Sequence, residues 1–237
     1  METLKSILEQ FDKNREANLV NGSLPVKKVA DCFMPCAKKI LCGGYFLIEN
    51  KFVLDIKSIE LYYHEEEGCT KDHIMYHTNE RKKGDSYFKR HETRPYFDFA
   101  SFNMHPSGVD VTFENRDKNY RASFLIRSFR VLPKGENLSS CGIGFDECST
   151  HIYDEAFYMG IPFGKPLPIE WIPSDAYKDA EITRETRLNV AEYRQDGKYF
   201  EKIPASKEDY MKDSKAYFNT GGKYYKQCQR EWRFTRK

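Results

Sequence analysis

The sequence predicts an α+β protein in which a curled, mixed and mostly antiparallel β-sheet is surrounded by helices. Two observations favour this class: segments with strand character are concentrated in the middle of the chain, and helical patterns lie near its two ends. The chain has 237 residues, of which 40% are hydrophobic, and this is enough for one sizeable core. We therefore expect a single domain over residues 1–237, with a polar insertion near residues 196–226.

Apolar residues at helical spacing predict two helices at the start of the chain. The first covers residues 1–20, and the second covers residues 29–41 and ends before Gly43. A third helix is predicted over residues 150–159, and a further helical segment is expected at 207–218 within the insertion.

β-branched and aromatic residues in alternating patterns predict the strands. Turn residues at 49–50 join the first two strands, and residues 106–108 separate two strands further along. Residues 162–180 contain four prolines and are expected to form a long connection. The predicted strands cover residues 45–48, 52–63, 96–103, 109–115, 121–131, 188–193 and 229–235.

The charges and the cysteines narrow the class of protein. The net charge is only +2, so the overall balance indicates no particular partner, although basic residues cluster near 81–83, 89–94, 116–130 and 223–237. Seven cysteines without framework spacing favour free thiols over a secreted disulfide scaffold. No window is apolar enough for a membrane span, and the start of the chain has no apolar run like that of a signal peptide. We therefore expect a cytoplasmic protein.

The end of the second predicted strand carries groups suited to acid–base chemistry. Glu60 lies near the end of an apolar strand, where a carboxylate in a dry pocket could act as a general base. A glutamate that faces solvent is the alternative, and the strand pattern alone favours it. Histidines and glutamates at residues 64–77 offer metal-ligand types, but their spacing favours a hydrated acidic loop over a metal site.

Arg127 lies among apolar residues of the strand at 121–131 and therefore requires an anion nearby. Burying a guanidinium without an acidic partner or a phosphate is costly. A structural salt bridge and a bound anion explain this arginine equally well.

Together these segments resemble the alkyladenine type of DNA-3-methyladenine glycosylase. Residues 60–62 (Glu-Leu-Tyr) stand where that family has a Glu-Ala-Tyr signature, and Asp72 and His77 follow as an acid and a histidine. Residues 124–128 match the family's Leu-Ile-Arg-Ala segment. The similarity covers roughly residues 36–160. A weaker similarity to the family's closing strands is found at 187–193 and 232–234.

The resemblance implies a glycosylase-like fold and hydrolysis of the N-glycosidic bond of a flipped, modified or damaged base in DNA. It implies that Glu60 activates water, that Arg127 lies beside this glutamate, and that Tyr62 and His77 line the base pocket. The expected catalytic residues are thus Glu60 and Arg127. The expected substrate-binding residues are Tyr62, His64, His77, Ser107, Gly108 and Asn115.

The chain differs from the family pattern where the family wedges a tyrosine into the duplex. Ser107 precedes Gly108 at this position, so another side chain must fill the gap that a flipped base leaves. The candidates are Phe102, Met104 and His105. Core packing is the alternative for the first two. The family's asparagine at the end of the same strand falls on Glu114 or Asn115.

We expect DNA as the partner, no membrane, a monomer, and neither a cofactor nor a metal. Two other functions stay open. One is a non-catalytic nucleic-acid-binding module that uses the Lys- and Tyr-rich segments at 89–94 and 223–237. The other is a metal-dependent hydrolase that would use His64, Glu66, His73 and His77.

Overall fold

The structure is a computed structural model that describes residues 2–105, 108–139, 141–148, 151–152 and 169–237. The helices in these ranges are α1 (Leu4–Glu16), α2 (Val26–Cys42) and α3 (Lys207–Lys212), with a 3₁₀ helix at Tyr87–Lys89. The strands are β1 (Gly44–Ile48), β2 (Phe52–Glu65), β3 (Ser101–His105), β4 (Gly108–Thr112), β5 (Tyr120–Pro133), β6 (Ile169–Pro173), β7 (Ile182–Glu185), β8 (Tyr193–Asp196), β9 (Tyr199–Lys202), β10 (Pro204–Ala205), β11 (Tyr217–Thr220), β12 (Lys223–Lys226) and β13 (Arg233–Arg236). None of these helices has both the length and the apolar character that crossing a membrane requires.

The two N-terminal helices pack against each other and contribute aromatic rings to the core. The side chain of Thr3 accepts a hydrogen bond from the backbone N–H of Ser6 at 3.1 Å and so caps α1. Phe11 of α1 meets Phe33 of α2 edge to face, with ring centroids 6.1 Å apart. Phe33 also stacks on Phe113, which follows β4, at 5.6 Å. The aromatic residues of the sequence thus join the helices to the sheet.

In the described ranges the main sheet has eight strands, in the order β3-β4-β5-β2-β1-β6, with β13 paired to β2 and β7 paired to β13. Each pairing between these strands is antiparallel. The α+β class with a mostly antiparallel sheet is therefore confirmed. The parallel pairs that a mixed sheet requires are not found between the named strands of the described chain. Parallel pairs need long crossover connections, whereas β1-β2 and β3-β4 here are hairpins.

Strand β2 lies in the centre of the sheet and carries three buried carboxylates. It is 14 residues long and pairs with β5 along its length. Each carboxylate contacts at least one arginine from another element, which offsets the cost of removing its charge from water. The ion pairs are Asp55 with Arg130 and Arg236, Glu60 with Arg127, and Glu65 with Arg15.

Most of the strands predicted in the first half of the chain are confirmed. The predictions at 45–48, 52–63 and 121–131 correspond to β1, β2 and β5. The prediction at 96–103 is right only in its second part, because β3 begins at Ser101. The turn at 106–107 lies outside the described residues.

Two predictions for the second half are wrong. The sequence predicts a strand over 188–193, but β8 begins only at Tyr193. Asn189 adopts a φ of 56°, and the backbone N–H of Leu188 binds a side chain instead of a neighbouring strand. The connection predicted over 162–180 contains β6, which pairs with β1 and forms an edge of the sheet, where proline is tolerated.

Residues 193–226 form two small antiparallel sheets, β8-β9 and β10-β12-β11, together with α3. The helix is shorter than the predicted segment 207–218, since it ends at Lys212 and β11 starts at Tyr217. The last strand, β13, covers the second part of the predicted segment 229–235. The helix predicted over 150–159 lies almost entirely outside the described residues.

Candidate active site

Glu60 lies in the middle of β2, between two neighbouring strands. It pairs in register with Leu125 of β5 and with Arg233 of β13. Its side chain is fully buried, with 0% of the residue exposed. The alternative of a glutamate that faces solvent is therefore wrong, and a carboxylate in this position needs hydrogen-bond partners.

Among the residues that the structure describes, four donors surround the Glu60 carboxylate. The Tyr62 hydroxyl donates to Oε1 at 2.5 Å. Arg127 donates from Nη2 to Oε1 at 2.7 Å and from Nε to Oε2 at 3.1 Å. The backbone N–H of Leu188 donates to Oε2 at 3.3 Å. A carboxylate has about four lone-pair sites, so these donors occupy it, and the longest of the bonds is the one from Leu188.

The charge of Glu60 changes the acid–base properties of its neighbours. Burial acts to lower the pKa of Arg127, but the nearby Glu60 carboxylate outweighs burial and raises that pKa. Burial and the same carboxylate raise the pKa of Tyr62 well above its usual value. Tyr62 is therefore a neutral donor and Arg127 a permanent cation, which together fix the orientation of the carboxylate.

The ring of Tyr62 is held by a buried ion pair between Arg187 and Asp72. The guanidinium carbon of Arg187 lies 5.0 Å from the centroid of the Tyr62 ring and 5.0 Å from that of Trp232. Arg187 donates two hydrogen bonds to Asp72, at 2.7 and 3.1 Å. Burial alone would raise the pKa of Asp72, but the Arg187 charge outweighs it and lowers that pKa. The pair therefore stays charged, and its guanidinium packs against the Tyr62 ring.

A cleft of about 610 Å³ lies beside this cluster. Its size is typical of sites that hold a small molecule or one nucleotide unit. Aromatic, polar and charged side chains line it, among them Tyr62, Tyr76, His77, His105, Asp110 and Arg127. Arg127 and Tyr62 therefore border a space large enough for a base, and the Glu60 carboxylate lies directly behind these two side chains.

His77 is buried at this cleft and is oriented by Glu114. Its Nδ1 contacts Oε1 of Glu114. Glu114 is in turn held by the backbone N–H of Phe97 at 2.8 Å and by Arg121 at 3.3 Å. The Nε2 atom of His77 has no hydrogen-bond partner among the described residues, although its side chain is only 3% exposed. Such an atom is available to a ligand, as an acceptor in the neutral ring and as a donor in the charged ring.

The structure brings four of the predicted site residues together. Glu60, Tyr62 and Arg127 are in direct contact, and Tyr62, His77 and Arg127 line one cleft. Gly108 pairs with His105 at the end of the hairpin β3-β4, next to a residue of the same cleft.

Other predicted site residues lie elsewhere. Nδ1 of His64 accepts a hydrogen bond from the backbone N–H of Asp72 at 3.1 Å, and His64 is not among the residues of the cleft. Asn115 contacts Asp12 of α1 at 3.4 Å, so Glu114 is the member of that pair that reaches the site. Ser107 lies outside the described residues.

The three residues considered as replacements for the family's wedging tyrosine have different surroundings in the structure. Phe102 packs edge to face on Phe46, with centroids 5.4 Å apart, which favours its role in the core. The side chain of Met104 lies outside the described part. His105 lines the cleft and its ring lies 5.0 Å from that of Tyr76.

The basic clusters of the sequence are in part internal. Arg121 is fully buried and contacts Glu66, while Arg130 and Arg236 both contact the buried Asp55. The arginines at 116–130 therefore neutralise buried carboxylates more than they form a basic surface.

The histidine and glutamate loop was a candidate metal site. His73 contacts Glu80 at 2.5 Å, and His64 lies 3.6 Å from Glu66. Within the described ranges, no three His, Cys, Asp or Glu side chains are grouped so that they could hold a metal ion. In the structure these histidines and glutamates contact one another in pairs.

Sequence reasoning missed Asp110 and Leu188. Asp110 looks like the outward-facing polar residue of an alternating strand, and nothing in the strand pattern shows that a cleft covers that face. Leu188 acts through its backbone N–H, which no side-chain pattern can indicate.

Comparisons with known proteins found no matching family model, no matching curated protein and no matching solved structure.

Proposed function

We propose that this protein is a DNA N-glycosylase that hydrolyses the N-glycosidic bond of a flipped, modified or damaged nucleobase. One observation carries the proposal: a fully buried glutamate, oriented by an arginine and a tyrosine, lies beside a cleft that can hold a base. The resemblance of the Glu60 and Arg127 segments to the alkyladenine glycosylases supports the same reaction.

The reaction exchanges a base for water at the sugar carbon C1′. The C1′–N bond breaks, and the base leaves with the bonding electron pair while positive charge develops on the sugar. Glu60 orients a water molecule, takes its proton as the oxygen bonds to C1′, and stabilises the developing charge. Glu60 must release one donor to contact this water. The bond from Leu188 is the longest of the four, so the water takes its place.

Arg127 and Tyr62 hold the carboxylate during this exchange. Arg127 contacts both oxygens of Glu60, so the plane of the carboxylate stays fixed when the bond to Leu188 is lost. Tyr62 also offers a ring to the cleft, and Tyr76 offers another. Aromatic rings beside a flipped base replace part of the stacking that the base loses on leaving the duplex.

The test is mass spectrometry of free base after the protein is incubated with a panel of normal and modified DNAs. We expect release of at least one base, at a rate that chelators leave unchanged. Glu60→Gln keeps the size of the side chain but removes the general base. It should slow the release of the nucleobase by roughly two to four orders of magnitude. Glu67→Gln changes an exposed glutamate two residues beyond β2 and is the matched control.

Two results would overturn the proposal. One is release by Glu60→Gln as fast as by the wild type. The other is DNA binding with a steep salt dependence but no base released from any DNA, which would favour the non-catalytic binding module.

A further inference from the structure

Asp110 lies on the same face of the sheet as Glu60, two strands away. It pairs in register with Leu125 of β5, and Leu125 pairs in register with Glu60 of β2. Directly paired residues of an antiparallel sheet project to the same face. Neighbouring strands are about 4.8 Å apart, so the two acidic residues are separated by roughly 10 Å at the backbone, with Leu125 between them.

Within the described part of the chain, one oxygen of Asp110 has protein partners and the other has none. Oδ2 accepts a hydrogen bond from Ser123 at 3.5 Å and lies 3.3 Å from Nε2 of His105. Oδ1 is buried and has no hydrogen-bond partner among the described residues. The side chain lines the cleft and is only 5% exposed. A buried acceptor without a donor is unfavourable, so the site fits a ligand that supplies one.

We propose that Oδ1 of Asp110 accepts a hydrogen bond from an exocyclic amino group of the base, so that the site selects bases with an amino group on the edge remote from the sugar. Adenine and cytosine have such an edge, and their modified forms that retain the amino group share it. The inference rests on the proposed function, because it takes a nucleobase as the occupant of the cleft.

The geometry explains both the position and the selectivity. A base whose C1′ lies at Glu60 extends across Leu125 toward Asp110, so its remote edge meets Oδ1. An ionised carboxylate has acceptors only, and hypoxanthine or uracil presents a carbonyl oxygen at the same place. Two acceptors would then face each other without a proton between them, and binding of the oxo base is disfavoured.

The experiment measures binding of nucleosides to the Glu60→Gln protein, in which slow chemistry does not disturb the equilibrium. The probes are two matched pairs, deoxyadenosine with deoxyinosine and deoxycytidine with deoxyuridine, titrated by NMR. The amino member of the pair that fits the cleft should bind at least about tenfold more tightly than its oxo counterpart. Adding Asp110→Asn should bring this ratio close to one, because an amide offers both a donor and an acceptor. Asp117→Asn, at an exposed position, is the matched control and should leave the ratio unchanged.

The outcomes separate this inference from the proposed function. Equal affinities for the amino and oxo nucleosides of both pairs overturn the inference, whether or not Asp110→Asn folds. A preference for the amino nucleoside that persists in a folded Asp110→Asn protein also overturns it. An amino preference that is lost in Asp110→Asn supports the inference. If that result accompanies no release of base from any DNA, the glycosylase activity fails while base recognition by Asp110 stands.

Discussion

Arg127 contacts both carboxylate oxygens of Glu60 where the glutamate side chain is 0% exposed and the arginine side chain is 24% exposed. The two residues are thus a charge pair at the wall of a cleft. The Glu60 charge is shielded from water and needs the Arg127 charge to offset its burial. The Arg127 charge still reaches water and needs Glu60 much less.

Arg127→Ala should therefore destabilise the fold strongly. It leaves the Glu60 carboxylate buried without its cation, and breaking such pairs costs about 3–5 kcal/mol. Urea denaturation measures this loss. Arg90→Ala, at an exposed position, should change the free energy of unfolding by less than about 0.5 kcal/mol.

The double variant Glu60→Gln with Arg127→Gln removes both charges and gives a further test. It should lose less stability than the sum of the two single variants, because no unpaired charge is left. A loss equal to that sum would contradict the dependence of Glu60 on Arg127.

The second prediction concerns acid stability and Glu66. Burial alone would raise the pKa of this carboxylate, but His64 and Arg121 beside it outweigh burial and lower the pKa to about 2. Because the pKa in the folded state lies below the ordinary value of 4.5, the stabilisation is complete above pH 4.5 and is lost as the pH falls from 4.5 toward 2.

Glu66→Gln should therefore lower the free energy of unfolding at pH 7 by up to about 3 kcal/mol. The difference from the wild type should narrow as the pH falls toward 2, which urea denaturation at a series of pH values would show. Glu67→Gln, at the exposed neighbouring position, should give no such pH-dependent difference. A constant difference over this pH range would show that the ion pairs of Glu66 do not cause the effect.

The third prediction concerns Gly44, where two elements approach too closely for a side chain. A Cβ atom added here would lie 2.5 Å from Cζ2 of Trp171 and would also meet the backbone oxygen of Ile172 in β6. Gly44→Ala should push β6 away from β1 and lower the free energy of unfolding by roughly 1–3 kcal/mol. Gly142→Ala is the control, because no atom of the described residues lies within 4 Å of the Cβ that this substitution adds. Equal melting temperatures for the two variants would contradict the close approach.

The central sheet was predictable because its strands have continuous apolar or aromatic patterns. Segments 52–63 and 121–131 pair along β2 and β5, and these patterns do not fit a helix. The segment at 188–193 has a similar apolar character but forms no strand. Its local propensity is overridden by Asn189 in the left-handed region and by the use of the Leu188 N–H on Glu60.

The candidate site was predictable only where side chains of distinctive chemistry lie on predicted strands. Glu60, Tyr62 and Arg127 meet this condition, and the structure places them in contact. Asp110 also lies on a predicted strand, yet its burial depends on segments distant in the sequence, such as 74–77 and 188–191, which close over that face. A single sequence carries no signal for this closure.

The buried ion pairs of β2 also affect how the sheet assembles. A slip of β2 by one residue against β5 would separate Asp55 from Arg130 and Glu60 from Arg127 in a single step, and would leave buried charges unmatched. Apolar side chains on both strands tolerate such a slip much better, since one aliphatic or aromatic neighbour can replace another. The carboxylates of β2 therefore specify the register of the central strands, because any other pairing of β2 with β5 leaves buried charges without partners.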